Sequence, residues 1–344
     1  MVMTAIRQLR LPSDVGRRRL EACLPIVVTA AILAVLPPIW FVGSAYTTGL
    51  AVDALVFASY AIGFNLIFGS TNQLFLCVGA LAGIGAYATA ILSDSASLPI
   101  VTGVVLGTLI AAIVGGLLSW IAVRRSLSVI FTGILTLVFS LAFQSLLLGR
   151  RQLTGGSTGQ ALKAAAVMLA DDRVGGYYLF AAVVVVFLIA FRWLQRSHVG
   201  WAFQALRDDE TTAELAGVNV ARYRIYAAVV GSAMIGLTGG LYAYSSGFVS
   251  PPTFAFNQVD VLVLAILVFG GLGTLLGPLL GACVFEAINA LLISSGQVQE
   301  FIYGLIIVVL FLGFRRGFLP AVTGLARKLM ASHAVRDARL ARGR

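Results

Sequence analysis

From residue 24 onward the chain alternates between long apolar runs and short polar joins. A helix rises 1.5 Å per residue, so about 20 apolar residues cross about 30 Å of hydrocarbon. Runs of this length predict an all-α fold: a polytopic helical membrane protein of about ten transmembrane helices, with some broken or re-entrant segments. The expected spans are 24–45, kinked at Pro37-Pro38, 48–69, 73–92, 98–122, 127–148, 177–194, 223–246, two from a glycine-interrupted region at 259–294, and 300–317. An outer-membrane barrel would show short alternating segments instead. Two joins are long enough to carry structure of their own, 150–176 and 195–222. Residues 1–23 and 319–344 form a basic arm and a basic tail around a membrane domain at 24–318.

Composition strengthens this reading: 59% of residues are hydrophobic and 11% charged, against about a quarter charged in soluble domains. The net charge of +10 is explained by position. With the N-terminus cytoplasmic, twenty of the 24 Lys/Arg fall inside and four outside: Arg150, Arg151, Lys163 and Arg173. Under the positive-inside rule both termini and 195–222 are cytoplasmic, and 150–176 is periplasmic, in a multi-pass protein of the bacterial inner membrane. The basic residues then set topology and meet anionic membrane lipid, not nucleic acid. The arm resembles a signal peptide in charge, but the apolar run behind it is long and reads as a retained first helix. Trp40, Trp120 and Trp193 fall near span ends, as interfacial anchors do.

Enzymatic chemistry finds little to work with. Cys23, Cys77 and Cys283 are an odd number without paired spacing, which argues against a disulfide framework and against a metal site. His198 and His333 both lie in expected cytoplasmic segments, and no HExxH or GxSxG is present. A G-x-x-x-x-G-K-[ST] phosphate loop is also lacking, and the joins leave no room for a soluble ATPase domain. The chain is expected to be no enzyme and to need no cofactor of its own, any ATP being bound by partner subunits.

The central join reads RDDETTAELAGVNVARYR over 207–224. Asp208, Asp209 and Glu210 suit the positive end of a short helix, and Gly217 suits the residue just past its end, with positive φ. Asn219 can cap the helix that follows. Ala213 and Gly217, four residues apart, share a face at helical spacing. A solvated connector and a docking element for a soluble partner both fit.

This stretch resembles the cytoplasmic coupling loop, R-D-[DN]-E-x-x-A-E-x-x-G-[IV]-N-V-x-R-Y, of permeases from branched-chain amino-acid (Leu/Ile/Val) ABC importers, in particular the second, M-type permease. Similarity continues through AIGFNLIFG (61–69), GIGAY (83–87), LTGGSTG (153–159), GLTGGLYAYSSGFVSPPTFAF (236–256) and VFGGLGTLLGPLLGA (268–282), covering most of 50–315. The resemblance implies a subunit that works with a second homologous permease, two cytoplasmic ATPases and a periplasmic solute-binding protein. It places Arg207, Asp208, Glu210, Ala213, Glu214, Gly217, Asn219 and Arg222 at the ATPase contact. Two departures stand out: the glutamate of the wider E-A-A-x-x-x-G signature is absent, and Phe75, Cys77 and Val78 replace the Ser, Gly and His common before GIGAY. The second leaves the solute open among branched-chain amino acids, urea, short amides and aromatic acids.

Asn65, Gln73, Gly270, Gly271, Gly273, Gly277 and Pro278 are the candidate pathway or helix-break residues. Glycines at 273, 277 and 281 suit close helix packing, while a break at membrane depth is tolerated where it lines a cavity or faces protein. Both readings stand together. Asp53 and Glu286 are expected inside the membrane and Asp260 at the outer interface; intramembrane carboxylates are functional candidates by default. A stand-alone secondary transporter or channel is the competing function, and co-purification with an ATPase separates the two.

Overall fold

The computed structural model describes residues 26–35, 45–95, 99–162 and 173–292, with residues 304, 305 and 308. The basic arm, the tail, Trp40 and most of the last expected span lie outside the described residues. Five described helices are long and apolar enough to cross a membrane. They are α2 (Ala45–Phe64, prolonged to Gly69 by a π-helical turn), α4 (Ile100–Arg124), α5 (Val129–Gly149), α7 (Arg173–Arg196) and α10 (Val220–Ser246). Shorter apolar helices accompany them: α1 (Ile26–Val35), α3 (Val78–Ser95), α11 (Asp260–Gly270) and α12 (Gly277–Leu292).

Small residues let this bundle close. A Cβ on Gly85 would collide with the Gly236 carbonyl, and one on Gly239 with the Ala82 carbonyl, so α3 and α10 pack backbone to backbone and α4 packs beside both. Helix α2 runs against α7, α10 and α12. The lipid-type surface falls on α4 and α5, where Val101, Ile113, Ile130 and Phe131 stay exposed.

Two expected spans differ from what the chain forms. The segment expected to begin a helix at 73 is extended until Val78. Its burial alternates, with Gln73, Phe75 and Cys77 buried and Leu74 and Leu76 less so, which is the period of an extended chain. Phe75 and Cys77, which stand where the family carries polar groups, are packed in the core. The region 259–294 forms α11 and α12, but α11 has 11 residues and reaches only about 16 Å at 1.5 Å per residue. It goes part of the way through the bundle and turns back, so this region holds a broken pair rather than two full spans.

The join after α5 is ordered where it is described. A short helix α6 (Arg151–Thr154), a 3-10 turn at Gly156–Thr158 and strand β1 (Gln160–Ala161) follow α5. β1 pairs antiparallel with β2 (Phe248–Val249), just past α10. Gly155, Gly156 and Gly159 of LTGGSTG have positive φ, which glycine adopts in turns without steric cost.

Candidate functional site

The join 195–222 folds as two short helices where the sequence predicted one. α7 ends at Arg196, α8 spans His198–Asp208 and α9 spans Glu210–Leu215. Asp209 caps α9: its carboxylate accepts hydrogen bonds from the Thr211 and Thr212 amides at 2.9 and 3.2 Å and from both threonine hydroxyls. These donors, the Thr211 hydroxyl first, lower its pKa from 3.8 to about 2. At the other end Gly217 has φ +84°. Its amide donates to Glu214 O and the Val218 amide to Ala213 O, the paired bonds of a Schellman ending. Asn219 Oδ1 then accepts from the Arg222 amide at 3.0 Å and starts α10.

The expected contact residues differ in exposure. Ala213 is 3% exposed and packs inward, because the first turn of α9 lies back on the bundle. Leu215, at 91% exposure, is the apolar residue that α9 offers outward. The side chains of Asp208, Glu214 and Arg222 are exposed with it. Glu210 instead forms a bidentate pair with Arg224, Nη1 to Oε1 at 2.6 Å and Nη2 to Oε2 at 2.8 Å, tying α9 to α10. Sequence reasoning missed Arg224. Its only cue was a second arginine two residues past Arg222, which helical geometry turns to another face. A cavity of about 560 Å³ opens beside this pair, lined by Asn72, Gln73, Ser126, Glu210, Glu214 and Arg224 among others.

A second constellation joins residues far apart in the chain. The turn between α11 and α12 is a glycine elbow, with φ +107° at Gly271 and +69° at Gly273. Its exposed backbone groups are met by side chains. Asn65 Oδ1 accepts from the Gly273 amide at 2.7 Å, and Asn65 Nδ2 donates to Thr274 O at 2.8 Å. Arg207 Nη2 donates to Leu272 O at 3.1 Å and Gln195 Nε2 to Gly273 O at 3.4 Å. Any Cβ on Gly273 would strike the Arg207 guanidinium, so glycine serves both the turn and the approach of α8. Asn65 itself opens the π-helical turn of α2, a local unwinding that recurs at functional sites. Gly277 and Pro278 begin α12, and Gly277 lies against Gly270. The helix-break set and one end of the loop set are thus one contact.

A third constellation sits at the far end of α11. Asp260, expected at the outer interface, is 1% exposed. Its carboxyl group accepts from the Gly79 amide at 3.1 Å and from Ser140 Oγ at 3.2 Å. The chain doubles back after α10 through the 3-10 turn Pro251–Phe254, which carries Asp260 down to the start of α3. Glycine is needed at 79, because a Cβ there would lie 2.6 Å from Phe254 O. The extended 72–77 segment beside it is satisfied by neighbours: Ser119 Oγ donates to Gln73 Oε1 at 3.1 Å, and the Leu76 amide donates to Thr136 Oγ1 at 2.8 Å. Irregular backbone survives at membrane depth only when protein meets its polar groups in this way. Gln73 therefore belongs to this inner packing and not to the elbow. Among the described residues, no group of three or more His, Cys, Asp or Glu is placed to hold a metal.

Residues 46–313 match the family of permease components of branched-chain amino acid transport systems. The chain belongs to that family. It is 29% identical over 320 residues to the high-affinity branched-chain amino acid transport system permease LivM of Escherichia coli, covering 86% of this chain and 74% of that one. The autoinducer 2 import system permease LsrC of Salmonella typhi is 26% identical over 294 residues, covering 81% and 82%. The fructose import permease FrcC of Rhizobium meliloti is 29% identical over 147 residues, covering 40% of this chain and 41% of that one. The chain is the multi-pass permease subunit of an ABC importer, a transport component and not an enzyme, and it works with ATPase and binding-protein partners.

Proposed function

We propose that this permease carries branched-chain amino acids across the bacterial inner membrane as the M-type half of a pair with a second, homologous permease. Two cytoplasmic ATPase subunits bind the ATP, one of them docking on α8 and α9, so this chain takes no cofactor of its own. A periplasmic solute-binding protein docks at the end carrying β1 and β2. Both termini and the join 195–222 are cytoplasmic in this reading, with 150–176 periplasmic.

The observation that carries the coupling is the contact of Arg207 with the glycine elbow, Nη2 to Leu272 O at 3.1 Å. Movement of α8 under a closing ATPase pulls directly on the turn between α11 and α12. Asn65 relays the same turn to α2 through its two backbone bonds. Leu215, nearly fully exposed on α9, is the apolar knob for a groove on the ATPase, and the Glu210–Arg224 pair makes α9 and α10 move together.

The test has two arms. In intact cells, an impermeant thiol reagent is expected to label a Cys at Ser157 and to miss one at Thr211; the reverse pattern overturns the topology. In a deletion strain, uptake of leucine, isoleucine and valine is compared with urea, short amides and aromatic acids. Rescue of aromatic-acid uptake alone would overturn the solute assignment while leaving the importer class in place.

A further inference from the structure

One face of α2 carries polar groups that neither the coupling loop nor the elbow uses. Tyr46, Gly49, Asp53, Phe57 and Tyr60 recur at intervals of three and four residues, so they form one stripe along the helix. Tyr46, at 52%, and Asp53 are exposed, Gly49 and Phe57 are half-buried, and Tyr60 is 3% exposed. The stripe is open at the Tyr46 end and closed at Tyr60, whose ring packs edge-on to Phe57 at 6.2 Å.

Asp53 is the one charged residue in the 24-residue span Tyr46–Gly69. It lies seven residues from the Tyr46 end, about 10 Å by helical rise, and thus within the hydrocarbon layer. A carboxylate exposed at that depth cannot face lipid without a cost of several kcal/mol. It faces a water-filled pathway or another protein. Tyr60 shares its stripe, and Tyr242 belongs to α10, which packs against α2. Among the described residues no donor satisfies the Asp53 carboxylate. Glu286 of α12 adds a second acid on the flank and is occupied by Asn289, which donates to it at 3.2 Å.

We propose that Asp53, backed by Tyr60 and Tyr242, holds the ammonium group of the transported solute on the face of α2 that lines the pathway. Negative charge, an acceptor hydroxyl and two aromatic rings are the chemistry that receives a primary ammonium at low dielectric. The same face rejects carboxylate-only solutes, since like charges repel there. This rests on the amino-acid reading above, and it predicts discrimination by the amino group rather than by the branched side chain.

The experiment uses the complete transporter, both permeases with ATPases and binding protein, in proteoliposomes supplied with leucine. Asp53→Asn is expected to lower leucine uptake at saturating binding protein by about 10-fold or more, the scale of losing a hydrogen bond to a charged group. Hydrolysis of ATP stimulated by the loaded binding protein should stay within about twofold of wild type, so solute moved per ATP falls. Asp53→Glu, which keeps the charge, should restore most of the uptake. Equal uptake by Asp53→Asn and wild type would overturn the site while leaving the importer reading intact. Failure of Asp53→Asn to co-purify with the second permease would overturn it too, making the carboxylate an interface contact. Wild-type transporter that moves no ammonium-bearing solute would sink the amino-acid reading and this site with it.

Discussion

Two aspartates cap helices in this permease, and they do so in opposite settings. Asp209 sits in water and caps its own helix, α9, two and three residues onward. Asp260 is buried, heads α11, and spends its carboxyl group on the first turn of α3, 181 residues back in the chain. The exposed cap organises six residues of loop. The buried one fixes where an extended segment turns helical inside the membrane. Water can replace the first set of bonds and cannot reach the second, so the same side-chain chemistry is a local convenience at one place and a condition of the fold at the other.

Removing the buried cap should have the largest effect. Asp260→Ala leaves the Gly79 amide and the Ser140 hydroxyl without their acceptor, at about 1–3 kcal/mol for each unsatisfied group. We expect the purified complex to melt several degrees lower and the variant to accumulate poorly. Asp260→Asn keeps one oxygen for Gly79 and should fall between the two. Wild-type accumulation and melting for Asp260→Ala would show that the contact is incidental.

The contrast also explains what the sequence discloses. Asp209, Gly217 and Asn219 act within four residues of themselves, so their roles in helix start, helix end and next cap follow from spacing, and the structure has each in place. Apolar run length likewise revealed the helical membrane fold. Asp260 acts through a partner that no local pattern names, and its sequence neighbours suggested an interface. The start of α3 at Val78 was hidden for a related reason: LFLCV is as apolar as a helix, and what holds it extended is Ser119 and Thr136 from other helices. Asn65 and the glycines were visible as candidates, yet their meeting with Arg207 is a tertiary fact. Ala213 carried the right spacing, and only packing showed that it points inward.

The exposed cap should be broken next through its far end. Gly217 has φ +84° and open space around it, so Gly217→Val costs backbone strain alone, about 1–3 kcal/mol. That strain falls on α9 and not on the membrane spans. The variant is expected to accumulate near wild-type level while uptake and binding-protein-stimulated ATP hydrolysis fall together. A change at Val174, at the start of α7, should alter neither. Intact stimulation in Gly217→Val would reduce the loop to a connector.

A smaller effect is expected where α9 meets α10. The Glu210–Arg224 pair is well oriented but Glu210 is half exposed, so the pair contributes about 0.5–1 kcal/mol. Glu210→Arg should loosen α9 by setting two cations together, and Glu210→Arg with Arg224→Glu should recover part of the lost uptake. A double variant no better than the worse single one would mean that Arg224 serves the neighbouring cavity rather than the pair.

The smallest and most local effect belongs to the titration of Asp209. Its folded-state pKa, about 2, lies below the usual 3.8, with the Thr211 hydroxyl as the leading cause. A depressed carboxylate stabilises the capped form above the unfolded pKa and loses that contribution as pH falls through the folded one. The cap should therefore be complete at neutral pH and down to about pH 4, then weaken towards pH 2. Hydrogen exchange at the Thr211 and Thr212 amides, expressed as protection relative to the free-chain rate at each pH, reads this directly. Protection should be level above pH 4 and fall below it. Asp209→Asn keeps an oxygen acceptor without a titrating group, so its profile should stay flat, whereas Asp209→Ala should be poorly protected throughout. Because the group is fully exposed, uptake at neutral pH should hardly differ between Asp209→Asn and wild type. Loss of protection already at pH 5 to 6 would mean that the amides are held by something other than this carboxylate, and the exposed cap would lose its place in the comparison.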